Sequence, residues 1–181
     1  GSEMCIRDRA YIYSRTRESA EQLSERLRDV PYSTDISRVP TDGDLYIFAV
    51  KDSALLDLVS RMPSNRGLWV HTAGSMDMEV FAPYTARYGV FYPMQTFSKE
   101  RETDFDDIPI FVETNHTDDT ERLQKLAGRL STKVYEATSE QRKYLHLAAV
   151  FACNFSNHLY ALCDRILSEH GLPFETMLPL I

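Results

Sequence analysis

The sequence predicts an α/β protein, a truncated and mainly parallel sheet followed by an α-helical part. Three observations predict it. Short apolar or aromatic runs recur at residues 10–13, 45–50, 67–71, 88–92 and 108–113. Helix-like stretches of roughly ten residues separate several of them. After residue 139 strand-like runs give way to a long Ala- and Leu-rich stretch. Strands alternating with helices imply right-handed βαβ units and a mainly parallel sheet.

Each element has its own signal. Residues 10–13 (AYIY) are short, aromatic and β-branched, and Ser14, Arg15 and Thr16 end them as a polar turn. Residues 19–28 carry Leu23 and Leu27 four apart, which predicts a helix with one apolar stripe. Residues 30–42 hold two prolines among Ser, Asp and Thr and read as an irregular connection with room for a short extended piece. The continuous run LYIFAV at residues 45–50 is the pattern of a strand covered on both faces. Asp52 and Ser53 offer an N-cap to a helix reaching about Met62. GLWVH at 67–71 predicts the next strand, residues 76–84 a short helix, and YGVFY and IPIFVE two more strands. Residues 118–130 predict a capped helix with Leu123, Leu126 and Leu130 on one side, and 133–136 a short strand. One long helix is expected from Ser139 to about His170, ended by Gly171 and Pro173.

Organisation follows. Residues 1–9 show neither strand alternation nor a helical stripe and look foreign, an expression remnant or a sequence-assembly artefact. Residues 10–138 form the α/β unit and 139–181 the helical one. Residues 172–181 open a new apolar segment without a polar cap, so both ends are expected to be cut short.

Bulk numbers exclude several functions. With 27 acidic and 20 basic residues the formal charge is −7, and no basic stripe is present to meet phosphates. Nucleic acid is therefore not an expected partner. No apolar run is long enough for a membrane span, so no membrane association is expected. Cys5, Cys153 and Cys163 lack ligand-like spacing, which predicts reduced thiols, no metal site and a cytoplasmic setting.

Chemistry-bearing residues cluster at strand ends. In open α/β sheets ligands lie beyond the carboxyl ends of strands. Ser14, Arg15 and Thr16 follow the first strand, where Arg with small hydroxyl residues accepts the 2′-phosphate of NADP. Val50, Lys51 and Asp52 follow the LYIFAV strand and are placed to touch a ribose or pyrophosphate, although Asp52 serving only as a helix cap is the rival reading. After GLWV come His71, Thr72, Ala73, Gly74 and Ser75. There the small residues admit a ligand to the backbone, Thr72 and Gly74 toward cofactor and Ser75 toward substrate. Gln95 and Thr96 sit in a long connection and offer polar groups to a substrate, with Lys99 as a charge. In the apolar helix, His146, Asn154 and Asn157 stand at helical spacings of eight and three, near one face. They can line a cleft against the sheet or pair across a helix contact.

Several of these segments resemble one family. YSRT at 13–16, DLYIFAVKD at 44–52, HTAGS at 71–75, GVFYPMQTFSKE at 89–100 and SEQRKYLHLAAVFACNFSNHLYAL at 139–162 carry the resemblance. They are similar to bacterial Rossmann-like proteins with a C-terminal helical domain of unknown function. Those proteins are related to NADP reductases such as pyrroline-5-carboxylate reductase, ketopantoate reductase and the deazaflavin-dependent NADP reductases. The resemblance implies an NADP-binding domain and a helical domain that forms a homodimer; it names no substrate. The family pattern opens with a strand, a glycine-rich turn and a helix, and here the foreign leader stands in their place. That unit holds the pyrophosphate. NADP is therefore expected to bind this chain far more weakly than the intact protein, and the sheet is expected to lack its central strand.

The expected function is NADP-dependent hydride transfer to or from a small carbonyl or imine substrate, with His146 and Asn154 as the catalytic polar pair. The alternative is a dinucleotide-binding or sensing module without turnover that dimerises through its helices. A dimerisation role alone is a third reading.

Overall fold

The computed structural model describes residues 11–27, 29–95 and 104–181. Strand β1 (Ile12–Tyr13) leads into helix α1 (Arg17–Arg26) and strand β2 (Tyr32–Ser33). A 3-10 turn precedes β3 (Leu45–Phe48), α2 (Asp52–Ser60) and β4 (Leu68–His71). A second 3-10 turn, Met78–Phe81, precedes β5 (Tyr88–Pro93), β6 (Ile110–Thr114), α3 (Thr117–Ala127) and β7 (Val134–Glu136). Helices α4 (Ser139–Ala149) and α5 (Ser156–Glu169) follow, joined by a π-helical segment, Val150–Phe155.

The strands form two sheets. One holds β1 and β2 in parallel; the other runs β3-β4-β5-β6-β7, parallel at every step except the antiparallel β5–β6 pair. The fold is thus a mainly parallel, Rossmann-type α/β arrangement followed by helices.

Alternation along the strands builds two apolar layers. Leu68 and Val70 of β4 join Phe91, Ile110, Val112 and α3's Leu123 on one face. Trp69 joins Phe48, Phe81 and α2's Leu55 and Val59 on the other. Every residue of β4 is buried, as a central strand covered on both faces requires. Arg87, just before β5, donates from Nε and Nη2 to the carboxylate of buried Asp119, at 2.9 and 2.5 Å, and so ties β5 to α3.

Between the two sheets the order is interrupted. No pairing joins β1 to β3. Instead a cavity of about 540 Å³ separates them, lined by Ile12, Leu23, Ile36, Phe48, Leu58 and Met62 among others. This gap explains two departures from the sequence pattern. In α1 the buried residues are Ala20 and Ser24, while Leu23 and Leu27 are 44% and 49% exposed. Leu23 borders the gap and not a filled core. Likewise LYIFAV is not covered on both faces: β3 ends at Phe48 and Ile47 is 52% exposed, because this strand is an edge.

Three further differences are local. Asp52 does not cap α2; Lys51 occupies that position without a side-chain bond, and Asp52 is the first helical residue. Helix α3 starts at Thr117 after an uncapped His116 and stops at Ala127, leaving Leu130 exposed beyond its end. The long final helix is broken by its π-helical segment, and Gly171 closes it at a φ of 70°, the left-handed value that favours glycine.

Candidate functional site

The turns after β3 and β4 meet. The Asp52 carboxylate accepts the Ser75 hydroxyl at 2.5 Å, and the Thr72 amide donates to the Phe48 carbonyl at 3.4 Å. Val50, Lys51 and Asp52 therefore lie beside Thr72, Gly74 and Ser75 at the carboxyl end of the parallel strands. His71 is fully buried beneath this turn and accepts the Ala73 amide on Nδ1 at 3.2 Å. Accepting on Nδ1 places the proton on Nε2, so the ring is neutral. Burial first, and the nearby Arg142 cation second, lower its pKa to about 4.

Helix α4 closes over the same turn. A Cβ on Gly74 would sit 2.8 Å from His146 Nδ1 and 2.8 Å from Tyr92 Cζ. Glycine is needed here so that α4 can approach. Tyr92 Oη lies 3.5 Å from His146 Nδ1, a long hydrogen-bonding distance, and burial pushes the phenol's pKa up. The close approach that the small residues permit is thus to His146 and Tyr92.

A buried polar hub fixes this geometry. Arg142, one turn before His146, pairs with Glu113 of β6 at 2.7 Å and donates to the Met76 carbonyl. Ser139 donates its amide and hydroxyl to the same carboxylate at 2.8 and 2.7 Å, and accepts the Met78 amide at 3.2 Å. Thr138 and Gln141 form a reciprocal capping box at the start of α4. Arg142 Nε and His71 Nε2 are buried without a hydrogen-bond partner among the described residues.

The remaining candidates fall elsewhere. Ser14 is half-buried at the end of β1, its amide donating to Ser33 O at 3.3 Å, and Arg15 and Thr16 are exposed beyond it. Tyr13 and Val50 line opposite walls of the cavity, so the 14–16 and 50–52 turns flank it. Arg15 makes no ion pair among the described residues, and the Thr16 hydroxyl donates to Ser19 Oγ at 2.9 Å. A free guanidinium beside two hydroxyls suits a phosphate ester. Gln95 is exposed just past β5, and Thr96 and Lys99 lie outside the described residues.

Asn154 and Asn157 are not brought to His146. Both are exposed, and no hydrogen bond among the described residues joins them to the His146, Tyr92 and Gly74 group. The expected common face assumed regular α-helical turns, whereas Asn154 sits within the π-helical segment, whose wider turn changes the phase. Two residues of the site were missed from sequence. Tyr92 was findable as the last aromatic of a strand pointing at the ligand end. Arg142 had a fainter signal, a cation one turn ahead of a histidine on an apolar helix.

These features define a Rossmann-type α/β unit whose strand ends are covered by a C-terminal helix. A family model described as a domain of unknown function, DUF2520, matches residues 108–181. The crystal structure of a Bacteroides fragilis protein named as an NADP oxidoreductase, BF3122, is 49% identical, with a TM-score of 0.82, over 94% of this chain and 67% of that one. The chain belongs to the family of that protein. A pyrroline-5-carboxylate reductase from Streptococcus pyogenes shares the fold at 12% identity and a TM-score of 0.64, over 94% of this chain and 64% of that one. So does a reductive aminase from Aspergillus terreus in complex with NADPH and ethyl levulinate, at 15% identity and 0.73, over 94% and 61%. The chain spans about two thirds of the length of these structures. No curated protein matches it. No helix among the described residues is long and apolar enough to cross a membrane.

Proposed function

We propose that the chain is part of an oxidoreductase that exchanges hydride between NADP and a small carbonyl or imine substrate. The observation that carries this reading is the convergence of the β3 and β4 turns with Tyr92 and His146 at the carboxyl end of the sheet. The 49% identity to a protein named as an NADP oxidoreductase supports it.

Arg15, with Ser14 and Thr16, would hold the 2′-phosphate. Val50, Lys51, Asp52, Thr72 and Gly74 would face the cofactor, and Ser75 and Gln95 the substrate. The bound cofactor supplies or takes the hydride. His146 would hold a proton within reach of the substrate, and Tyr92 Oη beside it would orient the ring or pass a proton to it.

Thermal protection tests the cofactor reading. Millimolar NADPH should raise the melting temperature more than NADH does, and Arg15→Ala should erase that difference. Equal protection by both cofactors in the unaltered chain would refute the assignment of Arg15.

A homodimer through the helices is the second part of the proposal. Tyr144, Leu147, Phe151, Phe155, Leu159 and Ile166 recur every three to seven residues along α4, the π-helical segment and α5, each more than half exposed. Light scattering should report a dimer, and Phe151→Lys should yield a monomer. A monomeric unaltered chain at high concentration would dismiss this part. The same face would also serve a non-catalytic dinucleotide sensor, and turnover of NADPH with a panel of carbonyl and imine compounds separates the two.

A further inference from the structure

Three aromatic rings form a row that starts at the candidate site. Tyr92 of β5 is the register partner of Phe111 of β6, and Phe111 is the partner of Tyr135 of β7. Register partners share a face of the sheet. The ring centroids of Tyr92 and Phe111 are 6.4 Å apart with planes inclined by 29°, and those of Phe111 and Tyr135 are 5.5 Å apart at 28°. His146 meets the inner end of the row, its ring centroid 6.5 Å from that of Tyr92 and its plane inclined by 65°.

The row stands at the ligand end of the sheet. Tyr92 is near the carboxyl end of β5, whereas β6 and β7 run the other way, so Phe111 and Tyr135 near their starts lie level with it. The outer half of the row is not core. Phe91, Ile110 and Val112 point to the opposite face and pack under α3. Tyr92 is buried, but Phe111 is only partly so and Tyr135 is 49% exposed. Helix α4 is held to this face by Arg142 at Glu113 of β6 and by His146 at Tyr92 and Gly74, a path that runs toward β4 and away from β7. Glu136, next to Tyr135, turns to the opposite face and accepts Gln124 of α3 at 2.6 Å, so its charge is drawn off the row.

We propose that Phe111 and Tyr135 form a substrate subsite, a stacking platform for a planar aryl group joined by a short link to the carbonyl or imine carbon that meets His146. This rests on the hydride-transfer reading of that site. Continuity with Tyr92 fixes the occupant: whatever reacts beside His146 has the open half of the row as its next neighbour on the sheet. The 6.4 Å step from Tyr92 to Phe111 leaves room for a link of about two carbons. An aromatic ring gains from offset stacking on these rings what a saturated ring of the same size does not.

The full chain, isotope-labelled in its aromatic rings, is titrated without cofactor with benzylacetone and with its cyclohexyl counterpart. Benzylacetone should shift the Phe111 and Tyr135 ring signals saturably and bind at least about threefold more tightly than the saturated ketone. Tyr135→Phe should keep that binding, whereas Tyr135→Leu, which retains apolar bulk without a ring, should weaken it at least about threefold. Tyr135 is half exposed, so both variants should melt near the temperature of the unaltered chain. Should Tyr135→Leu not fold, Phe111→Leu is read in the same way. Absence of saturable binding, equal affinity for the two ketones, largest shifts at Phe151 and Phe155, or undiminished binding by Tyr135→Leu overturns the inference. So does loss of a dimer in Tyr135→Leu, which assigns the row to a second copy of the chain. Because the titration uses no NADPH, its failure leaves the hydride reading standing. Stacking of benzylacetone without NADPH turnover of any carbonyl or imine counts against that reading and leaves the subsite in place.

Discussion

Arg142 of α4 and Glu113 of β6 form an ion pair 2.7 Å long, with side chains 1% and 14% exposed. It anchors the helical part to the sheet, and Ser139 and the Met76 carbonyl share its hydrogen bonds. Replacing Arg142 with Met strands the carboxylate. The expected cost is about 3–5 kcal/mol in urea unfolding. Adding Glu113→Leu should recover part of that loss, because both charges are then gone. If the double variant is no more stable than Arg142→Met, the pair is not the source of the effect.

His71 makes stability depend on pH. Its folded pKa of about 4 lies below the unfolded value of 6.5. The unfolded chain therefore takes up a proton first as pH falls, and stability is lost from about pH 6.5 down to 4. A shift of that size corresponds to about 3 kcal/mol. Melting temperatures measured from pH 7 to 4 should fall more steeply for the unaltered chain than for His71→Asn, which keeps an acceptor near Ala73 but does not titrate. Parallel curves would show that His71 does not carry the effect.

Gly74→Ala should push His146 and Tyr92 away from the turn, since the added carbon would lie 2.8 Å from each. Overpacking of this kind costs about 1–3 kcal/mol. Combining it with His146→Ala opens space on one side and should return much of the cost. Chemical denaturation of the two single variants and the pair reads the coupling directly.

Arg15→Ala should weaken NADPH binding by about tenfold or more, the worth of one charge-assisted contact of about 1.5–3 kcal/mol. Fluorescence titration of the two chains with NADPH checks this, and unchanged affinity would contradict it.

Much of the fold was legible because periodicity reports burial. Leu68 to His71 and Tyr88 to Tyr92 are buried runs whose pattern could mean little else. The reading failed where burial depends on a neighbour that local pattern cannot see. Leu23, Leu27 and Ile47 are apolar yet exposed, and Leu23 and Ile47 border the cavity between the sheets. Asp52 looked like a cap but bonds Ser75, which is 23 positions away. Of the candidate site, the strand-end turns were readable from strand order alone. Arg142 was not, because a buried arginine is recognised only by its partners, and Glu113 lies on a different element.

The π-helical segment has a consequence for anyone comparing sequences position by position. A wide turn takes up an extra residue, which sets everything after Phe155 back by about 100° around the axis relative to an unbroken helix of the same length. A side chain in α5 therefore looks toward a different compass bearing from the one its distance from Thr138 would assign. Removing one residue between Val150 and Phe155 would restore regular winding and leave Leu159 and Ile166 facing the side they face now, whereas forcing all six residues into α-helical turns would swing α5 around the axis.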